Sequence, residues 1–141
     1  METTLYELMS NVEKHSESSV GGFLAGQHDP QNKRLRFAIA DFGTMIPGHL
    51  SRLTKYQSGF TDSHLLIEAF KEGVTGTEGQ IPRRHFGSGL PYVKELTEAM
   101  GGKLRVYSRN GIVELERQTF DVYEVAVPYR GTLIAIDWPT A

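Results

Sequence analysis

The distribution of apolar and polar residues near the amino terminus predicts a helix followed by a β-hairpin. Within residues 3–15, apolar side chains recur at the three- and four-residue spacing of a helix with one apolar face. Residues 20–27 and 35–41 are rich in apolar and small side chains, and the polar segment HDPQNKR separates them. Two short apolar segments around a polar turn indicate two antiparallel strands.

A glycine-rich segment follows the hairpin and occupies residues 43–89. Its clearest helical signal is residues 65–70, which come after two possible capping residues, Thr61 and Asp62. Loops of this length are uncommon inside a compact domain and usually have a function. Such segments are usually functional lids or disordered segments, so we expect a long, partly mobile excursion that has a function.

The carboxy-terminal part predicts a second helix and four strands. The helix covers residues 90–100, and Gly101 and Gly102 stand just past its end, where glycine commonly terminates a helix. The strands are predicted at residues 103–108, 112–116, 123–127 and 131–137. The pair Asn110-Gly111 favours a tight hairpin turn between the first two of these strands.

This order of elements predicts an α/β (α+β) two-layer sandwich. In it, a mixed, mostly antiparallel sheet is covered on one face by helices and carries a long lid. The sequence has no internal repeat, no low-complexity tract and no linker-like change of composition. We therefore expect residues 1–141 to form a single domain.

The composition narrows the classes of function. Lysine and arginine number 15 against 17 aspartate and glutamate, so there is no excess positive charge to recruit nucleic acid or anionic lipid. Cysteine is absent, which excludes disulfides and thiolate metal sites. No apolar run approaches the ~20 residues of a membrane-spanning helix, and the amino terminus does not resemble a secretion signal. We expect a cytoplasmic protein without membrane insertion and without a nucleic-acid partner.

The predicted first helix has a polar stripe separate from its apolar face. Glu7, Asn11 and His15 form this stripe at helical spacing. A solvated surface explains most stripes of this kind. Asparagine is a mediocre helix former, however, and its place in a helix interior favours a role for its side chain.

Two glycine-containing turns are further candidates. Asp41 ends an apolar strand and is followed at once by a turn that contains Gly43, although an acidic residue there is often only a turn or cap residue. The Gly-Ser-Gly segment at residues 87–89 precedes the predicted second helix, whose first N–H groups and dipole attract anions. An ordinary flexible turn fits those glycines as well.

In order along the chain, these segments resemble one ATP-binding superfamily. The motifs are EL-MS-N-VEK-H in the first helix, the D-F-G turn, the G-S-G-L helix start, a Gly-Gly-strand-Ser segment and the GTLIAI strand. They are similar to those of the GHKL superfamily of gyrases, heat-shock chaperones, histidine kinases and mismatch-repair ATPases. The resemblance spans residues 7–139 and is nearest to histidine-kinase catalytic domains and anti-sigma-factor serine kinases. It implies a histidine-kinase-like ATP-binding domain of the Bergerat type, with ATP and Mg²⁺ as its ligands.

The resemblance implies roles around the metal and the base. Asn11 would bind Mg²⁺ through its amide oxygen, and Glu7 would be the general base for the attacking water or hydroxyl. Asp41 would accept a hydrogen bond from the exocyclic amine of adenine, which guanine lacks at that position. Gly43 would let the backbone lie close beneath the base, and Thr132 would lie near the adenine edge.

The resemblance also implies residues around the phosphates. Gly87, Ser88, Gly89 and Leu90 form the G-S-G-L helix start, and the glycines would hinge the lid while the backbone donates to phosphate oxygens. His15 lies one turn beyond the predicted metal ligand and could reach a phosphate, although a surface histidine is an equal alternative.

The chain also departs from the family pattern. Met45 replaces the second glycine of the first glycine box. The chain also begins almost at Glu7, so we expect a domain that belongs to a longer protein. The leading hypothesis is an ATP-dependent kinase or ATPase whose partner is a further protein or a further domain of the same chain. The alternatives are a nucleotide-sensing regulatory module with little or no catalysis, and an interaction module that has lost the nucleotide.

Overall fold

The computed structural model describes residues 19–43, 59–71 and 89–141, together with Tyr6, Pro47 and Leu50. The predicted helix at residues 3–15 therefore lies outside the described residues, apart from Tyr6. The described part contains six elements. They are β1 (Gly22–Asp29), β2 (Arg34–Asp41), α1 (Asp62–Glu68), α2 (Gly89–Ala99), β3 (Lys103–Glu116) and β4 (Thr119–Pro139).

The four strands form one sheet in the order β1-β2-β4-β3, and every neighbouring pair is antiparallel. β2 and β4 are the central strands, and their register sets Ile39 opposite Ile134 and Asp41 opposite Thr132. Successive side chains of a strand point to opposite faces. We call the face of Phe37 the core face and the face of Arg36, which carries no helix in the described part, the open face.

The predicted two-layer sandwich is wrong for the described residues. The sheet is antiparallel rather than mixed, its strands account for more than half of the described residues, and the two helices have only 7 and 11 residues. Both helices pack mainly on β3 and β4, and β1 is exposed along nearly its whole length. The described part of the chain is an antiparallel sheet with two short helices.

The expected long lid is part of the same correction. Within the glycine-rich segment 43–89, residues 62–68 form α1, whose Leu66 is fully buried. Phe70, just after the helix, is also buried and meets the ring of Phe120 on β4 edge to face at 5.4 Å. Burial of these apolar side chains fixes the middle of the segment to the sheet, so a single lid from 43 to 89 is excluded.

The predicted turn at Asn110-Gly111 is also wrong, because β3 continues through it. The backbone N–H of Asn110 donates to the carboxylate of Asp62, and its side chain donates to the carbonyl oxygen of Val125. A Cβ on Gly111 would lie 3.0 Å from the backbone oxygen of Asp62, so glycine lets the start of α1 approach the strand. Asn110 and Gly111 therefore form a contact between β3 and the start of α1 instead of a turn.

The chain instead reverses between β3 and β4 at Arg117 and Gln118. Both have positive φ angles, 50° and 68°, which is the conformation of a two-residue type I′ hairpin turn. As a result, the four strands predicted after residue 102 are two long ones. The pairing of β3 with β4 is irregular near Arg109. The buried positions of β3 accordingly change from 104, 106 and 108 to 111, 113 and 115, which keeps its apolar side on the core face.

The core lies between the core face and the two helices. It consists of Phe37, Ile39, Leu66, Phe70, Leu90, Val93, Leu104, Val106, Val113, Leu115, Ile134, Ile136 and Trp138. The indole N–H of Trp138 donates to the hydroxyl oxygen of Thr97 on α2 at 3.0 Å, and both residues are buried. This hydrogen bond ties α2 to the end of β4.

The local helix signals are confirmed. The hydroxyl of Thr61 accepts a hydrogen bond from the N–H of His64 and caps α1. At the end of α2, the N–H groups of Gly101 and Gly102 donate to the carbonyl oxygens of Glu98 and Thr97. Gly101 has a φ angle of 65°, so this is the Schellman arrangement that glycine favours. No helix within the described ranges is long and apolar enough to cross a membrane.

Candidate functional site

Half of the predicted site residues belong to the described part of the chain. Those outside it are Glu7, Asn11, His15, Gly87 and Ser88. Those within it are Asp41, Gly43, Gly89, Leu90 and Thr132. The described residues fall into two groups, one at the end of β2 and β4 and the other at the start of α2.

The first group is a cluster of buried polar side chains on the core face. Asp41, the last residue of β2, lies opposite Thr132 of β4, which in turn lies opposite Ser108 of β3. All three are buried, with Asp41 only 4% exposed. The hydroxyl oxygens of Ser108 and Thr132 are 3.2 Å apart, and the Ser108 hydroxyl also donates to the carbonyl oxygen of Gly131 at 2.9 Å. Three strands therefore bring one carboxylate and two hydroxyl groups to the same end of the sheet.

The carboxylate of Asp41 is held by backbone donors. Its Oδ1 accepts a hydrogen bond from the N–H of Gly43 at 3.0 Å, and the backbone N–H of Thr132 also donates to the carboxylate. Burial raises the pKa of Asp41, and these two hydrogen bonds only partly oppose the rise. No lysine, arginine or histidine of residues 19–43, 59–71 or 89–141 forms a salt bridge with it.

The alternative that Asp41 is only a turn residue accounts for one of its hydrogen bonds but not for its burial. The bond from Gly43 to the Asp41 side chain is an Asx turn, as expected for an acidic residue that ends a strand. Such a turn does not require burial, and a buried carboxylate without a cation is unfavourable. The oxygens of Asp41 keep lone pairs that an N–H donor of a ligand could satisfy.

Gly131 shapes the cluster and is not among the site residues predicted from the sequence. Its φ angle is 145°, and a Cβ at this position would lie 1.9 Å from the backbone oxygen of Asp41. Only glycine therefore allows β4 to approach the end of β2 this closely. The available signal was a glycine inside a predicted strand, directly before Thr132, because such a glycine often marks a close approach of two backbones.

Aromatic rings cross the open face beside the cluster. The rings of Phe23 and Phe42 are 5.8 Å apart, those of Phe42 and Tyr129 6.0 Å, and those of Tyr129 and Tyr107 5.6 Å. The hydroxyl of Tyr129 donates to the backbone oxygen of Asp41 at 3.4 Å. Burial raises the pKa of Tyr129, and the charge of Asp41 adds to the rise. The row braces the turn after β2 from the side opposite the carboxylate.

The second group consists of Gly89 and Leu90 at the start of α2, and the two residues have different roles. Gly89 is the first residue of the helix, and the first-turn N–H groups of a helix have no partner within it. Leu90 is 8% exposed and belongs to the hydrophobic core. Its side chain therefore anchors α2 to the sheet, and only its backbone is available for a ligand contact.

A groove of about 490 Å³ lies on the open face, and none of the predicted site residues within the described part of the chain lines it. Several of its charged side chains are paired, with Arg36 3.1 Å from Asp137 and Lys103 2.8 Å from Glu116. Burial alone would raise the pKa of Asp137, but hydrogen bonds from Arg34 and Arg36 outweigh it and lower the pKa. These ion pairs already satisfy the charges of those four side chains, whereas the buried carboxylate of Asp41 has no such partner among the described residues, so the strand-end cluster is the stronger candidate.

Metal ligands are not gathered in the described part of the chain. No group of three or more histidine, cysteine, aspartate or glutamate side chains among those residues could hold a metal ion. The predicted Mg²⁺ ligand, Asn11, lies outside them.

No family model matches the chain, and no curated protein matches it. A functional interpretation therefore depends on the motifs in the sequence and on the geometry of the strand-end cluster.

Proposed function

We propose that the protein binds magnesium-bound ATP and uses it for phosphoryl transfer or hydrolysis, as its GHKL-like motifs imply. One observation carries the proposal. Asp41 and Thr132 are remote in sequence, the resemblance assigns both to the adenine edge, and they lie opposite each other as a buried pair on β2 and β4. A buried carboxylate next to a hydroxyl group is a suitable receptor for an amine that carries hydrogen-bond donors.

The chemistry of the pair selects the base. The exocyclic amine of adenine donates, so it would satisfy a lone pair of Asp41 and offset the unfavourable burial of the charge. Guanine presents a carbonyl oxygen at the same position, which would leave two acceptors facing each other. A site that must bury unpaired polar groups rejects the wrong ligand strongly. We therefore expect ATP to bind and GTP to be excluded.

The remaining parts of the proposal rest on the sequence motifs. Asn11 would hold Mg²⁺, an ion that keeps several water and phosphate ligands and needs few from the protein. Glu7 would orient or deprotonate the attacking group, and residues 87–89 with the first turn of α2 would donate to the phosphates. The described residues would bind the adenine, and the chain outside them would supply the metal ligand Asn11 and the general base Glu7.

The test compares nucleotides by thermal unfolding. ATP with Mg²⁺ should raise the melting temperature of the wild type, because a ligand at 100 times its dissociation constant stabilises a protein by about 2.7 kcal/mol. GTP should give no comparable shift. Asp41→Asn keeps the size of the side chain but replaces one acceptor oxygen with a donor, and it should weaken ATP binding about tenfold or more.

Asp121→Asn is the matched control, because Asp121 is an exposed aspartate of β4 that pairs across the sheet with Glu114. It should bind ATP as the wild type does. Equal protection by ATP and GTP, or unchanged ATP affinity in Asp41→Asn, would remove Asp41 from base recognition. Phosphate release by the wild type then separates the enzyme from the regulatory alternative, since a nucleotide sensor binds ATP without turnover.

A further inference from the structure

β1 is an edge strand with an exposed backbone. In the described part of the chain it pairs only with β2, and seven of its eight residues are exposed. An edge strand presents a row of unpaired N–H and C=O groups, to which another strand can add. Phe23 on the open face and Leu24 on the core face are 57% and 51% exposed. The edge therefore offers both hydrogen-bonding groups and apolar surface.

The sequence and register of β1 itself lack the usual protections of an edge strand. Natural edges carry lysine, proline, a bulge or inward-pointing charges that block the addition of a strand. The segment Gly22–Asp29 reads GFLAGQHD, with no lysine, arginine or proline, and its register with β2 is regular throughout. Its one acidic residue, Asp29, is the last. Two copies of this strand can approach without repulsion between charges along most of their length.

Gly26, in the interior of β1, has no steric explanation among the described residues. An added Cβ would meet its nearest neighbours, atoms of Arg36 and Phe37, at an ordinary 3.9 Å. A glycine inside a strand costs about 0.5–1 kcal/mol relative to alanine. Strand glycines without a bulge often mark the close approach of another backbone or ligand. The position fits the close approach of a second strand to the free edge that β1 presents in the described part of the chain.

We propose that β1 pairs with β1 of a second copy of this chain about a two-fold axis, with Ala25 opposite Ala25 of the partner, so that the four described strands of each copy join into one continuous antiparallel sheet. A two-fold axis perpendicular to the sheet keeps the open faces of both copies on the same side. Two residues that lie directly opposite each other on neighbouring strands must be on the same face of the sheet. The axis must therefore set one residue of β1 opposite the same residue of the partner subunit, and it cannot fall between two consecutive residues of β1.

The choice of Ala25 as the centre follows from the side chains. Pairing centred on Ala25 uses Gly22 to His28 of both copies and sets Leu24 opposite Gly26 of the partner subunit, so the leucine covers the space that the glycine leaves. Pairing centred on Gly26 would set the Asp29 carboxylate opposite the Phe23 ring. The first arrangement buries apolar surface of Leu24, and the second places a charge against an aromatic side chain.

The absence of cysteine allows a direct test by oxidative cross-linking. In the proposed register, the Ala25→Cys variant should form an intermolecular disulfide, because directly opposite Cβ atoms are about 4.5–5.5 Å apart. Gln27→Cys is the matched control on the same strand and face. Its two copies would be about 13 Å apart along the strands, beyond the ~7 Å limit between disulfide-linked Cα atoms. Equal cross-linking of the two variants would overturn the register.

Light scattering of the cysteine-free protein tests the dimer independently. The wild type should show a concentration-dependent dimer. Ala25→Lys should raise its dissociation constant about tenfold or more, because like charges would then stand opposite each other, while Ala25→Ser should leave it nearly unchanged. A wild type that remains monomeric up to millimolar concentration, or a dimer that Ala25→Lys leaves intact, would overturn the proposal.

Discussion

Replacement of Gly131 by alanine tests the packing of β4 against the end of β2. The added Cβ would lie 1.9 Å from the backbone oxygen of Asp41 and 2.9 Å from the Cα of Phe42. Cβ atoms essentially never approach other heavy atoms closer than 3.0 Å, so β4 must move by about 1 Å relative to β2. Because the obstructing atoms belong to the backbone, rotation of a side chain cannot relieve the overlap.

The cost of this substitution has two parts. An L-residue at a φ angle of 145° is strained by about 1–3 kcal/mol. The displacement of β4 weakens the hydrogen bonds near Asp41, Ser108 and Thr132, each worth about 1 kcal/mol. Together they predict a loss of about 3–5 kcal/mol in the free energy of unfolding, among the larger effects of single substitutions.

The single tryptophan of the chain provides the assay. Trp138 is 1% exposed and meets Phe37 edge to face at 5.3 Å, so its fluorescence reports exposure of the core in urea. The midpoint of the unfolding curve should fall for Gly131→Ala while its slope remains that of the wild type. Nucleotide protection should be lost as well, since the same displacement moves Thr132.

Gly26→Ala is the matched control, measured at a concentration where the protein is monomeric. Its Cβ meets no atom of residues 19–43, 59–71 or 89–141 closer than 3.9 Å, so the variant should be as stable as the wild type or up to about 1 kcal/mol more stable. Equal changes in stability for Gly131→Ala and Gly26→Ala would contradict this prediction, because steric overlap with Asp41 would then have no effect.

Two further predictions concern buried polar groups. Thr97→Val leaves the indole N–H of Trp138 without its acceptor. In urea titrations it should lower the free energy of unfolding by about 1–3 kcal/mol, which is more than Thr97→Ser should. A valine variant more stable than the serine variant would contradict this. Burial raises the pKa of Asp41 above 3.8, so the folded protein holds the proton of this group more tightly than the unfolded chain does. The contribution of Asp41 to the free energy of unfolding is therefore complete below its unfolded pKa and is lost as the pH rises through its folded pKa. The stability of Asp41→Asn relative to the wild type should therefore increase from pH 3 to neutrality, and a pH-independent difference would show that Asp41 does not titrate abnormally.

Local signals in the sequence predicted the elements whose hydrogen bonds and backbone angles are themselves local. The β1–β2 hairpin, the Thr61 cap of α1 and the glycine pair after α2 belong to this group. Each depends on residues only a few positions apart, such as the bond from the N–H of His64 to Thr61. The preferences of capping residues and of glycine are therefore sufficient to specify them.

The wrong predictions arose where a tertiary contact overrides a local preference. Asn110 and Gly111 favour a turn in isolation, but in the structure they contact Asp62 at the start of α1, which is remote in sequence. Arg117 and Gln118 carry no turn signal, yet they adopt positive φ angles. The long pairing of β3 with β4 and its buried apolar positions offset that local strain, so the turn position is set by the sheet.

By itself the sequence determined the types of residue available for a site. Asp41 and Thr132 could be nominated from motifs, and the glycine before Thr132 was visible. Only the tertiary structure decided that the two residues lie opposite each other, that Ser108 joins them, and that the carboxylate is buried with a raised pKa. The physical reason is that strand register depends on burial of apolar side chains from distant segments, and desolvation of a charge exists only once those segments have packed together.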